Sequence, residues 1–166
     1  MIYNIIAKID EKLNFPVLAA HCDIPCKIYD PISAQIAVLT MIRMVDLLDE
    51  LKEKESLTLD QQAQFSRLVA QKEEHGLKVK AEVNVIWGDY IKEPQLTAFP
   101  ELHELVHSIM LAASKAKQQI NKESTLALLS LVNRFADIFW QTKGLETYSA
   151  TCPYPPGQAL VYPKLD

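Results

Sequence analysis

Glycine is scarce in this chain, with four among 166 residues, and aromatic residues make up only 8%. Sandwiches and barrels draw on both, glycine at their turns and aromatics on their pleated faces, so the two shortages favour helices. Three cysteines cannot form a disulfide framework and fit a reducing compartment. No stretch approaches the apolar length of a membrane span. Seventeen basic against 21 acidic residues leave a net charge of −4, so there is no basic footprint for nucleic acid. These shortages predict a cytoplasmic protein that binds neither nucleic acid nor membrane. Apolar residues, at 49%, are plentiful enough for one domain with a true core.

The apolar residues recur at helical spacing. Asp30-Pro31 reads as an N-cap followed by proline at the first helical position. A helix should run from there to about Glu55 on a stripe of Ala34, Val38, Met41, Val45 and Leu48. Glu53 to Thr58 is a turn, and Thr58-Leu59-Asp60-Gln61 is a capping-box pattern that opens a second helix. Val79, Val83, Ile86 and Tyr90 carry that helix past Gly76 to about Tyr90. Lys92 to Pro100 reads as a connection. A third helix from Pro100 buries Leu102, Val106, Ile109, Ala113, Ala116 and Ile120. After a break at Asn121–Ser124, a fourth carries Leu126, Leu129, Val132, Ala136 and Phe139 and stops near Gly144. The expected fold is all-α, an antiparallel up-and-down four-helix bundle over 32–144 with a proline-rich extended tail at 145–166. Ahead of it, Ile2, Ile5, Ile6, Ile9 and Leu13 mark a leader at 1–20 that Pro16 breaks. Asp10 and Glu11 in its middle are unlike a secretory signal.

Between leader and bundle lies His21-Cys22-Asp23-Ile24-Pro25-Cys26-Lys27-Ile28-Tyr29-Asp30-Pro31. By spacing alone, two cysteines four apart are compatible with a disulfide, half a zinc site, two buried thiols or a metal hook. A structural zinc site wants four ligands, and Cys152 stands alone in the tail. With a free amine on His21, that nitrogen, the Cys22 backbone nitrogen and the Cys22 and Cys26 thiolates offer two nitrogen and two sulfur donors in a plane. This set suits a square-planar metal such as nickel(II). Each donor must lose a proton, so affinity should fall on acidification. The His21 imidazole is placed to serve as an axial fifth ligand.

His21, Cys22, Asp23, Pro25, Cys26, Tyr29, Asp30 and Pro31 together resemble the hook of the nickel-containing superoxide dismutases. The segments Val85-Ile86-Trp87-Gly88-Asp89-Tyr90-Ile91-Lys92, Phe99-Pro100-Glu101-Leu102-His103-Glu104-Leu105-Val106 and Ile138-Phe139-Trp140-Gln141-Thr142-Lys143 are similar to that family in the same order. The resemblance runs from His21 to about Lys143. It implies a propeptide cut after Ala20 by a processing protease, a hook at 21–31 holding one nickel ion per subunit through His21, Cys22 and Cys26, and superoxide as substrate. It also implies a homohexamer. Tyr29 and Tyr90 would flank the open face of the metal, Asp23 and Pro25 would shape the hook, and Lys92 would add positive potential. Three positions depart from the family: Ala37 stands where a glutamate orienting the histidine is common, His75 where an arginine is frequent, and Lys27 where glycine is usual.

One motif competes. His103-Glu104-Leu105-Val106-His107 has the spacing of a zinc hydrolase helix. It lacks a third ligand, since no histidine follows and neither Glu123 nor Glu146 has a supporting pattern. A helical interaction module without catalysis is the further alternative if the hook binds no metal.

Overall fold

The computed structural model describes residues 27–165. The leader and His21, Cys22, Asp23, Pro25 and Cys26 lie outside the described residues, as does Asp166. Helix α1 (Ile32–Lys52) begins as Asp30-Pro31 predicts. The Asp30 carboxylate accepts from the Ile32 N–H at 2.8 Å, and the Pro31 carbonyl accepts from Ala34 and Gln35. Ala34, Val38, Met41, Val45 and Leu48 are all buried.

Thr58 closes the predicted capping box with Gln61 and opens helix α2 (Leu59–Val85). Its buried stripe is narrow: Leu68, Lys72, Gly76, Val79 and Val83, at spacings of three and four. Gly76 does not interrupt the helix. It is a site of close approach, where a Cβ would collide with Lys117 Cγ and lie 2.8 Å from Lys117 Cδ. Beyond Val85 the helix widens into a π turn (Ile86–Tyr90), with Ile91 N–H donating to the Ile86 carbonyl at 3.1 Å.

The expected connection from Lys92 holds a short helix, α3 (Glu93–Ala98). Pro94 sits in its first turn, where no N–H is required, and the Gln95 side chain accepts from the Lys92 N–H at 3.0 Å. Helix α4 (Leu102–Gln118) buries Leu102, Val106, Ile109, Ala113 and Ala116 as expected. Ile120 does not join them. The backbone turns extended at Gln119, ending the helix before Ile120 can face the core, and Ile120 is 45% exposed.

Asn121 caps helix α5 (Lys122–Thr142) by accepting from the Ser124 N–H at 3.0 Å. Of its predicted stripe Leu129, Val132, Ala136 and Phe139 are buried and Leu126 is half-buried. Its other end is a Schellman motif. Gly144 at φ 76° donates to the Gln141 carbonyl, and Leu145 donates to the Trp140 carbonyl. Helix α1 packs on α2 and α5, and α4 packs on the same two, so the four long helices close a ring around the main core, with a second apolar cluster of Leu48, Leu51 and Leu68 where α1 meets α2.

The tail departs from expectation. It folds into an antiparallel hairpin, β1 (Thr147–Thr151) with β2 (Ala159–Pro163), pairing Tyr148 with Tyr162 and Ala150 with Leu160. Leu160 and Cys152 are buried and belong to the main core. Gln35, 1% exposed, donates from Nε2 to Asn133 Oδ1 at 2.8 Å and to the Val161 carbonyl at 3.1 Å. Asn133 donates onward to the Ala159 carbonyl at 2.9 Å. Thr147 and Arg134 donate to the two carboxylate oxygens of Asp137. Burial works against the charge on Asp137, but hydrogen bonds from Thr147, Gln141 and Arg134 outweigh it and hold the carboxyl below its ordinary pKa.

Among the described residues Lys72 is the largest fully buried side chain, and no periodicity announces it. Its ammonium donates to the Ala116 carbonyl at 2.9 Å and to the Lys117 carbonyl, both at the C-terminal end of α4. It thereby supplies the donor that the last carbonyls of a helix lack and places positive charge at the negative end of the dipole.

Candidate metal centre

The described part of the site lies where the chain enters α1 and the π turn ends α2. Lys27 enters with φ 60°, a left-handed conformation that glycine adopts cheaply and other residues do not. This gives a backbone reason for the glycine usual there in the resembling family. Tyr29 follows, and its ring lies 5.7 Å from that of Tyr90, tilted by 42°. The two tyrosines named from sequence are therefore brought together from positions 61 residues apart (90 minus 29). A cavity of 190 Å³ beside them is lined by Ile28, Tyr29, Asp30, Ser33, Glu82, Val85 and Ile86.

The π register positions Tyr90. An extra residue in the turn displaces the side chains beyond it from the α-helical sequence of faces, and Tyr90 lands against the end of α5. Its ring is 5.1 Å from Phe139, and its hydroxyl is 2.7 Å from Thr142 Oγ1. The Lys143 ammonium sits 4.1 Å from the Tyr90 ring centroid and 5.5 Å from that of Phe139. Lys92, proposed as the local positive charge, donates to the Gly88 carbonyl at 2.8 Å and so closes its own turn. Among the described residues, the cation over the Tyr90 ring is Lys143. Sequence reasoning quoted Thr142 and Lys143 as part of a matching segment and gave them no role. Their spacing from the hook carries no hint of one, because the contact depends on how α5 packs.

The departures also take positions. Ala37 is buried in the apolar core, and the His75 Nδ1–H donates to the Gln71 carbonyl of its own helix. The competing histidine motif is not assembled for metal. His103 Nδ1 accepts from Trp87 Nε1 at 3.1 Å, with the rings edge to face at 5.7 Å. In the neutral ring that bond leaves the proton on Nε2, so neither nitrogen offers a free lone pair. Among the described residues no three His, Cys, Asp or Glu side chains converge to hold a metal.

The profile of the nickel-containing superoxide dismutase family matches residues 17–143, from just before the hook to Lys143. The chain belongs to that family. It is 32% identical over 126 residues to the nickel superoxide dismutase of Streptomyces seoulensis, covering 76% of this chain and 90% of that one. It is 33% identical, with the same coverage, to that of Streptomyces coelicolor. Its structure is similar to native nickel superoxide dismutase, with a TM-score of 0.65 at 30% identity over 75% of this chain and 99% of the other. A nickel-containing superoxide dismutase with its nickel ligation in the oxidised state gives 0.64 at 31% identity, with the same coverage. The hairpin, after residue 143, lies beyond the family match.

Proposed function

We infer that this protein is a nickel superoxide dismutase. It converts two superoxide ions and two protons into dioxygen and hydrogen peroxide. Membership of the family carries this reading, and the meeting of Tyr29 and Tyr90 supports it at the site. Among the described residues, no helix is long and apolar enough to cross a membrane.

The donor chemistry of His21, Cys22 and Cys26 fits nickel: an amine, an amide nitrogen, an imidazole and two thiolates would hold it. When bound, nickel supplies a one-electron relay between its +3 and +2 states. Asp23 would shape the hook, as the family resemblance implies. Tyr29 and Tyr90, whose rings meet, would stand beside the bound nickel, exclude larger anions and hold water there. Lys143, beside Tyr90, draws superoxide toward a protein whose net charge is negative. The amine becomes a ligand only after cleavage between Ala20 and His21, so residues 1–20 act as a propeptide removed by a protease. The mature chain assembles as a homohexamer in the cytoplasm.

The test compares two nickel-loaded chains, one trimmed to begin at His21 and one with a single extra residue before it. Dismutation by the trimmed form alone is expected. Equal activity in the two proteins would refute the amine-ligated hook, and equal inactivity of two folded proteins would mean that Ala37, His75 or Lys27 has broken the site.

A further inference from the structure

The hydroxyl of Tyr90 has a defined polarity that follows from hydrogen-bond arithmetic at the end of α5. Thr142 Oγ1 carries one hydrogen, and that hydrogen is donated to the Phe139 carbonyl at 2.6 Å. At its 2.7 Å contact with Tyr90, Thr142 can therefore only accept. The phenol must be the donor, which makes a chain from Tyr90 to Thr142 to the Phe139 carbonyl. Once its one hydrogen is directed into α5, the Tyr90 oxygen presents only lone pairs elsewhere.

We propose that Thr142 is a positioning residue which makes the Tyr90 hydroxyl an acceptor-only group on its side away from α5. An acceptor-only oxygen takes a hydrogen bond from water or from a protonated peroxide and offers none to a bare anion. Superoxide drawn in by Lys143 is therefore not anchored by a hydrogen bond from Tyr90, and an inhibitory anion finds no donor there to lodge against. Lys143 works alongside it, drawing anions near while its ammonium faces the flat of the ring and leaves the hydroxyl direction to Thr142. The proposal rests on the reading of Tyr90 as part of the gate.

The first readout is the carbon–oxygen stretch of Tyr90 in isotope-edited infrared spectra, assigned by its loss in Tyr90→Phe. This band distinguishes a phenol that donates from one that only accepts. The wild-type band should report a donor, shift in Thr142→Val and return in Thr142→Ser, which keeps the hydroxyl. The second readout is azide inhibition of the nickel-loaded, trimmed enzyme. It should strengthen several-fold in Thr142→Val, because the freed phenol hydrogen can turn toward the bound anion, and should be normal in Thr142→Ser. An unshifted band in folded Thr142→Val, or unchanged azide inhibition there, would overturn the proposal. The gate reading fails separately: if Tyr90→Phe leaves both dismutation and azide inhibition untouched while the band still shifts in Thr142→Val, Thr142 orients the hydroxyl of a residue that does not gate.

Discussion

Leu160 to alanine tests whether the hairpin is part of the core or a loose appendage. The side chain is 0% exposed and sits with Cys152 in the cluster that holds α1, α4 and α5. Removing it forfeits the transfer of a buried leucine and leaves a cavity, which costs about 3–5 kcal/mol when the surroundings cannot relax. A terminal two-stranded element can close part of that gap, so a loss of about 2–4 kcal/mol is expected. The cost is bounded above by undocking of the whole hairpin. That would strip the Val161 carbonyl from Gln35 and the Ala159 carbonyl from Asn133, and the buried Gln35 amide would lose one of its two acceptors. The assay is urea denaturation of the full chain followed by helical circular dichroism, at one protein concentration so that assembly contributes equally. A chain ending at Leu145 is the companion variant, expected to lose at least as much as Leu160→Ala. A midpoint within error of wild type for Leu160→Ala, with an unchanged slope, would show that the hairpin contributes nothing to the bundle.

Lys72→Met should destabilise the fold by about 2 kcal/mol. Leaving the Ala116 and Lys117 carbonyls without a donor outweighs relief from burying a charge. The pH dependence has a definite sign. Desolvation by burial lowers the Lys72 pKa below 10.5, opposed by Glu73 and assisted by Lys117. Between that lowered value and 10.5 the unfolded chain holds the proton and the folded chain does not. Wild-type stability should therefore rise with pH through this window relative to Lys72→Met, and below the window the difference should level off. Urea midpoints at pH 7 to 10.5 read this out, and a fall of the wild-type advantage with pH would contradict it. Lys27→Gly should be neutral to stabilising, by up to about 1 kcal/mol, because relief of the left-handed conformation outweighs the added freedom of the unfolded chain. The same thermal or urea measurement checks it, and a clear destabilisation would mean that the Lys27 side chain makes contacts worth more than the strain.

Much of the bundle was legible because its signals are local. Period, capping box and proline placement act within a turn or two of chain, so Asp30, Thr58 and Gly144 mark ends that need no knowledge of the rest. The misses share a cause. Ile120 continued a periodic stripe, but the stripe says nothing of where the backbone leaves the helix. The prolines of Lys92–Pro100 suggested a break, although Pro94 is harmless in a first turn. The tail looked extended because its prolines argue against pairing, although Pro155-Pro156-Gly157 falls in the turn, where Gly157 at φ 66° donates to the Tyr154 carbonyl and lets the two strands pair.

For the site, sequence by itself carried the family and the donor set proposed for its metal. Metal chemistry selects residue types at short spacing, and His21, Cys22 and Cys26 lie within six positions of one another. Tertiary structure decided how closely Tyr29 meets Tyr90, that the Lys143 ammonium lies over the Tyr90 ring, and that the Tyr90 hydroxyl meets Thr142. It also decided that Lys72 is a helix cap and that Leu160 is core. These contacts join distant stretches of chain, and a hydrogen bond or a buried face depends on which surfaces the packed helices bring within a few ångströms, which spacing along one chain does not encode.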